Sequence, residues 1–182
     1  MKNKILIGII IISIVVITGI LIKRINGKEL KETEASCFEF DKEKGEITGY
    51  LDICSSEVSI PQKIDGVEVI SIRSFAFSGK ELTKVMIAKT VKEIGNGAFS
   101  DNEITYLKLN EGLEIIKPYA FNNNKIDKLD IPSTVKEIGR EAFNKNELKG
   151  KDAFIYQRNE EGKEDKTVLI GYGGKDKNVK IP

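Results

Sequence analysis

Side chains that could catalyse a reaction or hold a metal are scarce in this sequence. It has 182 residues, no histidine and two cysteines, Cys37 and Cys54. Without histidine there is neither a Ser-His-Asp nor a Cys-His catalytic group, and two cysteines cannot supply the four ligands of a structural zinc site. The carboxylates are spread along the predicted surface with no apolar pocket to separate their pKa values, which argues against a glycosidase-type acid pair. We therefore predict a protein that is not an enzyme and binds neither metal nor cofactor.

Charge and cysteine content narrow the function further. The 29 Lys and Arg residues balance 28 Asp and Glu residues, whereas nucleic-acid binders normally carry a basic surplus, so we expect no nucleic-acid partner. Cys37 and Cys54 leave two alternatives open, a disulfide or two buried free thiols. A disulfide would require an oxidising compartment and would stabilise the fold by about 3 kcal/mol.

A repeat of 22 residues runs through the middle of the chain. The other apolar positions keep the same period as the Ala-Phe pairs, which fall at Ala76-Phe77, Ala98-Phe99, Ala120-Phe121 and Ala142-Phe143. Such a period indicates stacked coils that bury a shared core, because no single copy can cover its own apolar face. We predict a mainly β solenoid of about four coils.

Each copy contains one segment in which apolar and polar residues alternate, the pattern of a half-buried strand. The segments are Lys84–Ala88, Tyr106–Asn110 and Lys128–Pro132, and stacking would pair them in parallel about 4.8 Å apart. Asparagine-rich segments after each phenylalanine suit tight turns. Unlike charges alternate at positions 92, 114 and 136 and at positions 103, 125 and 147, as expected for neighbours on adjacent coils.

The repeated motif resembles that of a known family. Val91-Lys92-Glu93-Ile94-Gly95-x-x-Ala98-Phe99 and Ile131-Pro132-Ser133-Thr134-Val135-Lys136-Glu137-Ile138-Gly139-x-x-Ala142-Phe143 are similar to the BspA-like leucine-rich repeats of bacterial surface proteins. The resemblance covers about residues 58–148. It implies a leucine-rich repeat solenoid placed at the cell surface and acting in adhesion to host or matrix proteins or to other cells.

The sequence outside the repeats predicts a membrane anchor and two caps. Residues 5–22 are uncharged and apolar, and the segment is long enough to cross a bilayer as one transmembrane helix. The sequence is compatible with an uncleaved anchor and with a cleaved signal peptide, and with either orientation in the membrane. We predict a single-pass protein of the cell membrane with its repeats outside. The predicted divisions are an anchor at 1–27, a charged linker at 28–36, a cap hairpin at 37–57, repeats at 58–148, and a hairpin cap with the start of a further coil at 149–182.

We expect the binding surface on the outward side of the parallel strands, a concave face in this prediction. Its candidate residues are Lys84, Met86, Tyr106, Lys108, Lys128 and Asp130. The resemblance implies a protein partner, such as a host or matrix protein. The alternative is a structural or assembly component of an envelope complex that binds the cell's own membrane proteins.

Overall fold

The computed structural model describes residues 30–176 and 179–180. The chain divides into two units, Met1–Lys31 and Glu32–Pro182, and all the described secondary structure belongs to the second. Two 3₁₀ helices span Ala35–Cys37 and Gly150–Ala153. The strands are β1 (Phe38–Asp41), β2 (Glu46–Tyr50), β3 (Glu57–Ser59), β4 (Lys63–Ile64), β5 (Val67–Glu68), β6 (Ser71–Ile72), β7 (Lys84–Met86), β8 (Glu93–Ile94), β9 (Tyr106–Lys108), β10 (Ile115–Ile116), β11 (Glu137–Ile138), β12 (Phe154–Arg158) and β13 (Glu164–Tyr172).

The repeats form the predicted solenoid, in which each of the first three coils passes through one sheet of parallel strands and then through a second sheet, and the fourth passes through the second only. The first sheet has the order β3-β7-β9 and contains two of the predicted strand segments. The second, larger sheet has the order β1-β2-β6-β8-β10-β11. Strands β6, β8, β10 and β11 are only two residues long and place one fully or nearly buried isoleucine per coil in the core. The chain turns between the two sheets and again at the Ala-Phe pair, so that every coil closes around the same core.

The phenylalanines of the Ala-Phe pairs form a continuous stack through the centre of the solenoid. Phe77, Phe99, Phe121 and Phe143 are fully buried, and successive ring centroids lie 4.7, 5.2 and 5.3 Å apart. This spacing is close to the separation of neighbouring strands, about 4.8 Å, because each ring belongs to one coil. The 22-residue period of the sequence is therefore the length of chain needed to complete one coil.

A cap closes each end of this core. At the amino-terminal end, β1 and β2 form an antiparallel hairpin, and β2 then pairs in parallel with β6. Tyr50 continues the phenylalanine stack, with its ring 5.2 Å from that of Phe77. At the other end, β12 and β13 form a second antiparallel hairpin, and the backbone N–H of Glu141 donates to the carbonyl of Ile170, 3.2 Å away. Both hairpins lie where the sequence predicts them.

The prediction of a third strand at Lys128–Pro132 is wrong. This segment has no regular secondary structure, and β9 ends the first sheet. An edge position alone does not prevent a strand, since β9 also has a single neighbour, β7. The difference lies in the chain that follows: the next residues in the column, Gly150–Ala153, form a 3₁₀ helix that leads into the hairpin cap, and Lys128–Pro132 is not paired with β9 as a further strand of the sheet.

Within residues 30–176 and 179–180 we find no helix with the length and apolar character needed to cross a bilayer. The predicted transmembrane segment, residues 5–22, lies outside the described residues.

Candidate functional site

Four of the six predicted binding residues lie together on the outer face of the first sheet. Parallel pairing places Lys84 beside Tyr106 and Met86 beside Lys108. The alternate residue of β7, Val85, is fully buried in the core, so the four side chains point to the opposite side because direction alternates along a strand. We refer to Lys84, Met86, Tyr106 and Lys108 as the strand face.

The strand face combines an exposed aromatic ring with lysine side chains. Tyr106 is 47% exposed, and Lys108 is exposed while Met86 is half-buried. The Lys84 ammonium contacts a carboxylate oxygen of Glu57 on β3 at 2.7 Å. This ion pair neutralises one end of the face, whereas the Tyr106 and Lys108 side chains project from the last strand of the sheet. The arrangement suits contact with another protein, because tyrosine offers a large apolar ring together with a hydroxyl group.

Lys128 and Asp130 do not join the strand face. Both are exposed on the irregular segment that follows it. Next to this segment lies a cavity of about 950 Å³ between the last repeat and the carboxy-terminal hairpin. Leu129, Ile131 and Ile138 line one side of this cavity, and Phe154 and Tyr156 of β12 line the other.

The sequence predicts β12 and β13 as a cap but does not predict the hairpin side of this cavity. The signal for it is the apolar run Phe154-Ile155-Tyr156 at the start of β12, which is buried in the structure. What the sequence alone cannot supply is the gap itself, which arises because the chain leaves the coil path at Gly150–Ala153. Among the described residues, no group of three or more His, Cys, Asp or Glu is placed to hold a metal ion.

The two cysteines lie in the amino-terminal cap and form a disulfide, with Cα atoms 5.9 Å apart. The bond joins the residue directly before β1 to the loop after β2. In the same cap the Tyr50 hydroxyl donates to the carbonyl of Ser55 at 2.8 Å, and burial raises the pKa of this tyrosine. A linker residue also takes part, because the backbone N–H of Thr33 donates to the carbonyl of Ser59 on β3. The edge strand β3 is thereby paired at Ser59, and Thr33 of the predicted charged linker contacts the first sheet.

Ion pairs between coils follow the predicted alternation of charge. Glu114 contacts both Lys92 and Lys136 at 3.5 Å, and Lys125 contacts Glu103. Its hydrogen bond to Glu103 raises the pKa of Lys125. A hydrogen bond from Lys175 lowers the pKa of Glu147, so this ladder reaches the terminal cap. These pairs hold adjacent coils in register and lie apart from the strand face.

Comparison with known proteins places the repeats in one family. A family model described as a BspA type leucine rich repeat region matches residues 54–154 in six copies. No curated protein matches the sequence.

Among solved structures, the chain is similar to a leucine-rich repeat protein of T. pallidum, with 26% identity, 62% of this chain and 66% of that chain covered, and a TM-score of 0.45. A leucine-rich repeat protein of Bacteroides ovatus is 23% identical, with 66% of this chain and 40% of that chain covered and a TM-score of 0.40. A leucine-rich cell surface protein of Faecalibacterium prausnitzii is 14% identical, with coverages of 70% and 57% and a TM-score of 0.25. The chain spans less than two thirds of the length of each of these three structures.

Proposed function

The chain belongs to the BspA-type leucine-rich repeat family, and from this premise we propose that it is a membrane-anchored, surface-exposed module that binds a protein and catalyses no reaction. Leucine-rich repeat proteins generally act as protein-interaction modules. The partner in this proposal is a protein of a host or an extracellular matrix. Residues 5–22 provide the anchor, and the repeats face outward.

The strand face is the observation that carries this proposal. Tyr106 is 47% exposed and lies on β9, a short strand whose backbone is fixed by pairing with β7. A ring held on a rigid strand loses little conformational freedom on binding, which is the property of residues that dominate protein interfaces. The face is small, so a single contact would be weak, and many copies on one cell surface would strengthen attachment through avidity.

Site-specific crosslinking on intact cells tests the strand face. A photoreactive amino acid replaces Tyr106 in the full chain, and the matched control places it at Glu43, which is exposed in the turn of the amino-terminal hairpin. We expect illumination to link position 106, and not position 43, to a protein supplied from a matrix or host-cell extract. If position 106 links to nothing, or both positions link equally, the strand face is not the binding surface.

The same experiment separates the alternative function from adhesion. A component of an envelope complex would crosslink from position 106 to a membrane protein of its own cell, with no host or matrix material added. Adhesion requires the added material. With the photoreactive amino acid kept at position 106, substituting Met86 and Lys108 together by alanine should weaken whichever link is formed.

Protease accessibility tests the proposed placement of the repeats. A tag is fused after Pro182, and intact cells are treated with protease beside lysed cells as the control. We expect the tag to be lost from intact cells. Protection of the tag until lysis would place the repeats inside and rule out binding of host proteins.

A further inference from the structure

The residue directly before each Ala-Phe pair has a backbone conformation in the left-handed region. The φ angles are 62° at Phe75, 56° at Gly97, 61° at Tyr119 and 56° at Glu141. Glycine adopts this conformation without strain, whereas a bulky side chain there is an outlier. The coil with Gly97 therefore shows that the turn needs no side chain at this position, yet two coils carry an aromatic ring.

The two aromatic rings belong to one surface. Phe75 is 61% exposed, and its ring lies across Gly97, where an added Cβ would come within 2.5 Å of the Phe75 Cε1 atom. Gly97 is hydrogen-bonded through its N–H to the carbonyl of Pro118, at 3.0 Å, which brings Pro118 and Tyr119 next to it. The Arg140 guanidinium lies over the Tyr119 ring, 5.7 Å from its centroid. We call Phe75, Gly97, Pro118, Tyr119 and Arg140 the aromatic strip.

The strip ends in a positive charge that the described part of the chain does not neutralise. Arg73 and Lys117, which precede the same turns, contact Glu46 at 2.9 Å and Glu137 at 3.5 Å. Arg140 is exposed, and no carboxylate of the described residues lies within 4.0 Å of it. Its N–H groups stay available for a carboxylate from outside, and its planar group is oriented by the Tyr119 ring.

We propose that the aromatic strip is a docking surface for an extended peptide segment that carries apolar side chains and one carboxylate on the same side. From Phe75 to Arg140 the strip crosses three coil spacings of about 4.8 Å, roughly 14 Å in all. Four residues of extended chain cover about the same distance, and side chains at positions i, i+2 and i+4 point to one side. An aromatic or aliphatic residue at i packs on Phe75, a second at i+2 packs near Tyr119, and an aspartate or glutamate at i+4 pairs with Arg140.

Synthetic peptides test this surface directly on the full chain in mild detergent. The probe is the acetylated and amidated heptapeptide Ser-Phe-Ser-Leu-Ser-Asp-Ser, together with its reversed sequence because either chain direction fits. In the matched control peptides, lysine replaces aspartate. We expect saturable binding of at least one aspartate peptide, at least tenfold tighter than its lysine control at low salt. The absence of saturable binding below about 1 mM, or equal affinity of the aspartate and lysine peptides, overturns the proposal.

Protein variants separate docking from folding. Phe75→Gly and Tyr119→Gly each relieve the strained turn while removing a ring, so we expect peptide binding to be lost with no fall in the thermal unfolding midpoint. Glu141→Gly relieves the same strain outside the strip, and it should leave peptide affinity unchanged. Arg140→Gln should weaken the aspartate peptide to the level of its lysine control. Retained binding in Phe75→Gly, or an equal loss of binding in Glu141→Gly, contradicts the assignment.

Discussion

Buried asparagines connect each coil to its neighbours at the level of single residues. The Asn124 Nδ2 atom donates to the carbonyls of Phe99 at 2.9 Å and Phe121 at 3.2 Å, and its Oδ1 atom accepts from the N–H of Ile104 at 3.1 Å. Asn102 and Asn146 are also buried and make equivalent bonds. An amide is suited to this position because it donates and accepts at once, which satisfies backbone groups that have no partner in either sheet.

Removing one of these amides should be costly. In Asn124→Ala the N–H of Ile104 loses its buried partner, and the carbonyls of Phe99 and Phe121 each keep one amide donor, from Asn102 and Asn146. We therefore expect the free energy of unfolding to fall by about 2 kcal/mol. Urea titration followed by circular dichroism measures this change. Asn122→Ala is the control, since Asn122 is half-buried and its one side-chain bond is long, at 3.5 Å. The control should change stability by less than about 0.5 kcal/mol, and a similar loss in both variants would contradict the role given to Asn124.

The sequence predicts a structural role for these asparagines, but it does not predict which backbone groups their side chains hydrogen-bond. The residues in the left-handed turn conformation are Asp101, Asn123 and Lys145, one position before the buried amides. The sequence carries a signal, because positions 102, 124 and 146 are asparagine in three of the four copies, the first having Lys80, while the preceding position differs in every copy. A residue type that recurs at one position, in a turn that tolerates several, indicates a side chain with a specific partner.

At the level of elements, the sequence predicts best what depends on long periodic patterns. The coil length, the β7 and β9 strands and both hairpins could be predicted from alternation and turn residues. The second sheet could not, because strands of two residues such as β10 are too short to show alternation. At the candidate site, the direction of the side chains on β7 and β9 could be predicted from the alternation of residues. The departure of Lys128 and Asp130 from the strand face could not be predicted, since it depends on the path of the cap that follows.

The amino-terminal cap should depend on its disulfide. The bond closes a loop between residues 17 apart in sequence, and its loss should lower the free energy of unfolding by about 3 kcal/mol in the chain-entropy model. The variant with both Cys37→Ser and Cys54→Ser should unfold at a lower temperature than the oxidised wild type, and reductant should bring the wild type to the same midpoint. The variant itself should not respond to reductant. A wild type that is insensitive to full reduction would show that the cap does not need the bond.

The carboxy-terminal cap makes a prediction that separates packing from backbone strain. Gly162, at φ 75°, lies so close to the last coil that an added Cβ would come within 2.0 Å of the Ser133 carbonyl oxygen, whereas a Cβ on Gly150, at φ 59°, would meet nothing within 4 Å. Both alanine variants carry the cost of a left-handed residue, but only Gly162→Ala must also push the hairpin away. We expect Gly162→Ala to be less stable than Gly150→Ala by at least about 1 kcal/mol. Faster tryptic cleavage near Lys163 should accompany it, and equal behaviour would mean that the hairpin does not pack on Ser133.

For the whole molecule, stability should behave as a sum over coils and the contacts between them. The phenylalanine stack, the asparagine bonds and the ion pairs of Glu114 all link adjacent coils. In such an array each added coil contributes its own share of the free energy of unfolding and one further interface. The charged columns add a constraint, because lysine and glutamate must alternate along a column for every contact between neighbours to be favourable.

Inserting coils of the chain's own sequence tests this description. A second copy of residues 100–143 after Phe143 adds two coils and preserves alternation in both charged columns. A second copy of residues 100–121 after Phe121 adds one coil but places like charges beside each other in both columns, since Glu103 and Glu114 then neighbour their own copies. We expect the longer insertion to raise the thermal midpoint and the urea m-value, because more surface is buried. The shorter insertion should raise the free energy of unfolding by less than half as much, because each like-charge pair costs about 0.2–1 kcal/mol. Adding 0.5 M NaCl should recover part of this loss, since salt at about this strength screens exposed charges. If the two insertions gain in proportion to length at all salt concentrations, the charge ladder does not set the register of the coils.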